Sequence, residues 1–397
     1  MFKDSYITYA MRTPIGKFGG ALASIRPDDL IAHLLTHYQQ QDRHPLEEID
    51  DVFIGCTNQV GEDSRNVARM ALLLANYPYQ VPGMTLNRLC GSSLEGVISA
   101  ASRITAGLGE CFLAGGVESM SRAPYALSKS PTPFGRQQEI YDTAIGWRFS
   151  NPRLAERFPL LNMGQTAEEV AAKYPEITRQ QQDAFALASH QKATAADFSS
   201  ELVPVTVKTK KGDHQITVDE SPRPDSSLEQ LAKLRPAFSK QGGSVTAGNS
   251  SSINDGASLI AVVSKDFLQR HNLTPLARIT GAGISALHPS QMGLGPIEAT
   301  RKLSCNFNLP IDQFDLIELN EAFAIQSLAC IKELQLNPEQ VNLKGGAIAL
   351  GHPLGCTGTR ILTTLVHQLN NHQSARHGLA TMCVGVGQGV ALSITKE

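Results

Sequence analysis

The sequence predicts an α/β fold made of two similar halves, and three observations carry that prediction. Strand-like and helix-like apolar patterns alternate along most of the chain, and the same order of elements restarts near Pro275. A segment rich in Pro, Ser and aromatic residues interrupts the alternation after Ser121. The expected division is 1–120 and 251–272 for the first half, 121–250 for an inserted loop domain, and 273–397 for the second half. A chain of 397 residues exceeds one ordinary core, which agrees with several packed units.

Residues 6–10 read as a strand. Asp28 and Asp29 read as the cap of a helix with apolar Leu30, Ile31, Leu34 and Leu35, and residues 51–56 as a second strand. A helix over 66–75, a strand over 84–86, a helix opening at Cys90 and ending near Gly107, and a strand over 110–115 follow. In the insertion, Lys210-Lys211-Gly212-Asp213 signals a hairpin, and Thr178 opens the one helix with a clear pattern. Residues 257–263 return as a strand that completes the first half. The second half reads as a strand over 277–280, a helix from Pro296, a strand over 315–319, helices over 321–334 and 359–369, and strands over 379–383 and 390–394. Alternation of this kind implies mostly parallel sheets covered by helices, with reacting groups where strands end and helices begin.

Composition excludes several classes of function. A chain 42% hydrophobic and 18% charged, with 33 glycines, suits a compact α/β enzyme and not a disordered segment. Lys and Arg total 35 against 37 Asp and Glu, which leaves no general electrostatic footprint for nucleic acid or an anionic membrane. Lys208, Lys210 and Lys211 flank a turn and read as a solvated tip. No stretch approaches bilayer length, Met1 to Tyr6 lack an apolar signal core, and Ile394-Thr395-Lys396-Glu397 is not a peroxisomal address. Cytoplasm is the expected location. The cysteines at 56, 90, 111, 305, 330, 356 and 383 have neither zinc nor disulfide spacing, which points to a reducing compartment. With no dinucleotide fingerprint or ligand cluster, no permanent metal or redox cofactor is expected.

The chemistry centres on Asn87-Arg88-Leu89-Cys90-Gly91-Ser92-Ser93-Leu94. Leu94, Val97, Ile98, Ala101 and Ile104 recur at helical spacing, so Cys90 is expected in a helix's first turn, where unpaired N–H groups and the dipole favour a nucleophilic thiolate. Taken alone, Cys90 reads as a buried, inert thiol. Asn320 alone could be a helix cap, His352 a satisfied loop histidine, and Cys383, at the end of an apolar strand, a core residue. Partners change that reading. Asn320-Glu321-Ala322-Phe323-Ala324, Gly345-Gly346-Ala347-Ile348-Ala349-Leu350-Gly351-His352-Pro353-Leu354-Gly355 and Cys383-Val384-Gly385-Val386-Gly387-Gln388-Gly389 accompany the Cys90 stretch in order.

Together these four segments resemble the thiolase family over essentially the whole chain. The resemblance implies the thiolase fold, two βαβαβαββ halves with an inserted loop domain, and an acyl-CoA C-acyltransferase that uses coenzyme A as co-substrate. By resemblance, Cys90 takes up the acyl group, His352 removes its proton, and Asn320 holds a water beside the substrate's thioester oxygen. Cys383 protonates the departing acetyl-CoA enolate, and the N–H groups of Cys90 and Gly385 form an oxyanion hole. Ser251 matches a pantetheine-contacting position. Arg223 and residues 234–238 lie in the region that holds the nucleotide, while Met163, Met292 and Phe323 are expected along the acyl-CoA path. Family membership also implies a homodimer or homotetramer. Gly61 to Met70 and Tyr141 to Phe149 are similar to the β-ketoadipyl-CoA and oxoadipyl-CoA branch, whereas Leu161 to Glu168 follow the general family pattern. The expected substrate is therefore a 3-oxoacyl-CoA of fatty-acid β-oxidation, acetoacetyl-CoA or β-ketoadipyl-CoA. Other classes compatible with Cys, His and Asn are an acyl-CoA hydrolase and a non-catalytic CoA-binding scaffold; a hydrolase has no use for a second cysteine at 383.

Overall fold

A computed structural model describes every residue except 1, 3, 211, 240 and 241. Lys211 of the predicted hairpin therefore lies outside the described residues. The chain opens with β1 (Ser5–Arg12), β2 (Gly16–Lys17), α1 (Pro27–Gln39), β3 (Asp51–Gly55), α2 (Val67–Leu74), β4 (Gly83–Leu86), α3 (Ser92–Thr105) and β5 (Cys111–Ser119). The next segment holds the hairpins β6 (Tyr125–Leu127) with β7 (Ile140–Asp142) and β8 (Val205–Thr209) with β9 (Gly212–Ile216). It also holds α4 (Pro152–Ala155), α5 (Met163–Lys173), α6 (Arg179–Ala195) and α7 (Leu228–Ala232). Then come β10 (Asn254–Ser264), α8 (Lys265–Arg270), β11 (Ala277–Ala286), α9 (Gly295–Phe307), β12 (Leu316–Leu319), α10 (Ala324–Glu333), α11 (Ala347–Leu350), α12 (Leu354–Asn371), β13 (His377–Val384) and β14 (Gln388–Thr395).

Both halves feed one continuous sheet in the order β12-β13-β14-β11-β1-β10-β5-β3-β4, joined where β1 meets β11 at Tyr6↔Arg278 and Ile7↔Ala277. The expectation of mostly parallel strands is corrected here. Parallel pairing is confined to β3 with β4 and β5, and to β12 with β13, while the middle of the sheet is antiparallel. The cause is connection length. β13 reaches β14 through Gly385, Val386 and Gly387 alone, too short for the crossover that parallel strands need. The second half also lacks a full counterpart of β4: between α10 and α12 the described residues offer a single bridge, Ile317↔Val341.

Local sequence explains where helices begin. Pro27 takes the first position of α1, so Asp28 and Asp29 do not cap it, contrary to expectation; they sit in its first turn and meet the positive end of the dipole. Thr178 caps α6 with a reciprocal bond from Gln181, as its pattern predicts. A second capping box, Asn162 with Gln165, opens α5, a helix the sequence reading missed. The α12 helix is buried nearly all round, and α3 is its main helical neighbour. Their apolar faces join strands of both halves in one core. Helices α1 and α2 cover the opposite face of the first half, and α5, α9 and α10 cover that of the second. Two central helices enclosed this way bring loops from both halves to one place.

Candidate active site

Cys90 lies on the turn between β4 and α3, two residues before the helix starts at Ser92, and not inside its first turn as expected. Leu89 adopts a left-handed φ of 46°, which costs a leucine about 1–3 kcal/mol and must be held by its surroundings. Several bonds do so. Asn87 Oδ1 accepts from Leu89 N at 2.9 Å, Ser92 Oγ accepts from Arg88 N at 2.9 Å, and the same hydroxyl donates to Leu89 O at 2.5 Å. Gly91 lets the turn press on the second half, since a Cβ there would lie 2.8 Å from Val384 Cγ2 and 3.0 Å from Val390 Cγ2.

The resting sulfur is a thiol, which corrects the thiolate expected from a helix N-terminus. Burial pushes the Cys90 thiol up to about 11, and the opposing backbone N–H groups of Gly385 and of Cys90 itself offset only part of that. Low dielectric around the sulfur outweighs the dipole of a helix that starts two residues later. Gly385 opens the β13–β14 turn, which continues through Val386 and Gly387 at φ of 61° and 75°. A Cβ on Gly385 would come within 3.2 Å of Leu89 Cδ1, so a bare backbone here lets its N–H reach Cys90. Cys383, two residues earlier in β13, is buried. Burial holds its thiol well above the usual value, and the nearby Cys90 and Cys330 raise it further.

His352 sits between α11 and α12, with its backbone N donating to Asn254 Oδ1 at 3.0 Å. Its Nδ1 lies 2.7 Å from Thr357 Oγ1, and that hydroxyl donates its one proton to Pro353 O at 2.9 Å. Nδ1 must therefore carry the imidazole proton, which leaves Nε2 with a free lone pair. Burial first, and then the positive charge of Arg360, lower the His352 pKa to about 3, so the ring is neutral and able to accept a proton. Glu118 steadies the start of α12 by accepting from Gly355 N at 2.8 Å and from Thr57 N at 3.0 Å.

Asn320 follows β12 and is 1% exposed, with neither amide atom hydrogen-bonded among the described residues. Its cap reading is excluded, because α10 starts at Ala324 with Phe323 in the cap position. A buried amide without partners is costly unless something else completes it. Glu321 beside it is fully engaged with Ser189 Oγ, Asn342 Nδ2 and Ile348 N at 2.6, 2.9 and 3.2 Å, and it ties α6 to the loop before His352.

A cavity of about 250 Å³ is lined by Cys90 and Gly385, with Leu89, Met163, Trp147 and Arg148 also among its walls. A second, of about 440 Å³, is bordered by Arg223, Leu234, Ser250 and Ser252. Arg223 is exposed there, its backbone N donating to His190 Nδ1 at 3.2 Å. Ser251 lines neither cavity; it is half-buried and its N donates to Ala322 O at 3.0 Å. Met292 also lines neither. It is 3% exposed in a core shared with α5 and α10, in the short helical turn that precedes α9. Phe323 is buried edge-on to Phe238, with ring centroids 6.3 Å apart. Sequence reasoning missed Trp147 and Arg148 as cavity residues, although the chain's one tryptophan beside an arginine was a usable signal.

Residues 5–266 match the family model described as "Thiolase, N-terminal domain", and residues 273–396 match "Thiolase, C-terminal domain". The β-ketoadipyl-CoA thiolase of Pseudomonas aeruginosa is 51% identical, with 100% of each chain covered. The 3-oxoadipyl-CoA/3-oxo-5,6-dehydrosuberyl-CoA thiolase of Escherichia coli K12 is 47% identical over 99% of this chain and 100% of its own. Among solved structures, the Bacillus anthracis acetyl-CoA acetyltransferase superposes with a TM-score of 0.93 at 40% identity, covering 100% of this chain and 99% of its own. Human mitochondrial 3-ketoacyl-CoA thiolase gives 0.92 at 37%, with 100% of each chain covered.

Proposed function

The chain belongs to the thiolase family, and from that premise we propose how its residues divide the work and which substrate they serve. It is an acyl-CoA C-acyltransferase that cleaves a 3-oxoacyl-CoA with coenzyme A. In the proposed mechanism Cys90 attacks the ketone while His352 Nε2 takes its proton. A thiol at about 11 beside a neutral ring favours proton transfer coupled to attack over a stored ion pair. The N–H groups of Cys90 and Gly385 stabilise one oxyanion. Asn320, through a water, and His352 stabilise the other. Cys383, kept protonated by burial, donates to the acetyl-CoA enolate, and free coenzyme A then releases the acyl group from Cys90.

The observation that carries this reading is the cavity lined by Cys90, with the Gly385 N–H turned to its sulfur. The proposed substrate is 3-oxoadipyl-CoA, supported by 47–51% identity over essentially the full chain to proteins of that named activity. Coenzyme A would run past Ser251 and Phe323 to Arg223, in the 121–250 insertion. Met163 borders its reacting end, with Met292 behind as support. A homodimer or homotetramer is part of the proposal. Edge strand β4 with exposed Met84, and exposed Tyr125, Leu127, Phe134 and Ile140 on the β6–β7 hairpin, support it. No helix among the described residues is long and apolar enough to cross a membrane, and cytoplasm is the proposed location. Acetoacetyl-CoA with and without free coenzyme A tests the reaction. Loss of substrate that requires coenzyme A is expected, and equal loss without it would mean hydrolysis.

A further inference from the structure

Arg148 lines the Cys90 cavity without a charged partner. Its Nη1 donates to Thr143 O at 3.4 Å, at the long end of hydrogen bonding, and among the described residues no carboxylate pairs with it. Half-buried Arg88, Arg122 and Arg103 pair with Glu95 at 2.9 Å, Glu62 at 2.5 Å and Asp51 at 3.2 Å, while Arg43 and Arg69, which have no carboxylate, donate to Thr8 O and Val81 O at 2.6 Å each. Five N–H donors on a permanent cation thus face a largely apolar cavity with most of their capacity unspent. The segment is held in place, because the neighbouring Trp147 donates its indole N–H to Leu161 O at 2.8 Å, beside the capped start of α5. The Thr143 hydroxyl is already engaged, donating to Pro124 O at 2.5 Å and accepting from Asn58 Nδ2 at 2.9 Å.

We infer that Arg148 is the specificity-determining residue that receives the far carboxylate of the acyl chain Cys90 takes up from a dicarboxylic 3-oxoacyl-CoA, an inference that rests on the acyl-enzyme reading above. A planar guanidinium matches a carboxylate in two parallel bonds, and an aliphatic terminus in the same place would desolvate the cation and give nothing back. No bond to the acyl chain is made or broken by Arg148; it orients the chain and selects it.

The test compares kcat/KM for 3-oxoadipyl-CoA with that for 3-oxohexanoyl-CoA, which has the same chain length but ends in a methyl. The ratio in one preparation does not depend on the fraction of protein folded. Wild type is expected to prefer 3-oxoadipyl-CoA, and Arg148→Gln to lower the ratio about 10- to 100-fold, the range for a charge-assisted hydrogen bond, with Arg148→Lys in between. An unchanged ratio overturns the inference. If both activities fall together, Arg148 touches the coenzyme A part common to the two substrates; if neither falls, the carboxylate is bound elsewhere. Wild-type activity on acetoacetyl-CoA separates the layers: with it, a failed ratio condemns Arg148 alone, and without it the acyl-enzyme reading falls too.

Discussion

The Cys90 turn and the β13–β14 turn each bring a cysteine to the site, and the molecule treats the two sulfurs differently. Cys90 sits on a strained turn, half-buried in the wall of a cavity, with two backbone N–H groups directed at it. Cys383 lies inside a strand paired to Gly389, more deeply buried, and raised further by Cys90 itself. Donors at the sulfur suit a group that must carry negative charge, and their scarcity suits one that should keep its proton until a carbanion needs it. In the proposed mechanism the first half presents the nucleophile, and the second half supplies the proton-handling groups His352 and Cys383 together with Asn320.

Removing the base should break this contrast most severely. His352→Ala leaves the Cys90 proton without an acceptor, and turnover is expected to fall about 10²- to 10⁴-fold, measured as kcat on acetoacetyl-CoA in protein that still melts cooperatively. A loss of only a few-fold would return His352 to the role of a loop residue. Asn320→Ala should come next, at about 2.7–4 kcal/mol of barrier, with stability held or improved because the side chain has no partner to lose. A large drop in melting temperature with little change in kcat would make Asn320 a packing residue.

Two smaller effects sharpen the comparison. Alkylation of Cys90 by iodoacetamide, followed on its own peptide, should rise about tenfold per pH unit from 7 to 10. The sign follows from an acid held near 11, whose reactive thiolate gains with every step toward that value. A plateau already reached at pH 7 would restore the stored thiolate. Gly91→Ala forces a Cβ against Val384 and Val390 and should cost about 1–3 kcal/mol in chemical denaturation. An unchanged midpoint would show that the turn does not press on the second half.

Much of this was legible in the sequence because local patterns are strong where helices and strands are long. Helical spacing after Leu94 and the start signal at Thr178 located α3 and α6. The state of Cys90 was not legible, since its turn packs against a core that includes Val384 and Val390 of the other half, nearly 300 positions away in the chain. Strand direction failed for a similar reason: apolar alternation gives β13 and β14 but not that a glycine turn reverses the second. Arg148 stands out by a single long hydrogen bond and no carboxylate beside the Cys90 cavity, which no one-dimensional pattern records.

The division of labour between the two cysteines is tested most directly in Cys383→Ser, where a weaker acid occupies the same place. Acetyl-CoA should still acetylate Cys90, since that half-reaction needs the nucleophile and His352, and peptide mass mapping after a rapid quench reads the adduct. Cleavage of acetoacetyl-CoA by the same protein should be lost. An adduct missing from Cys90, or cleavage near the wild-type rate, would contradict the assignment and make Cys383 a packing residue in β13.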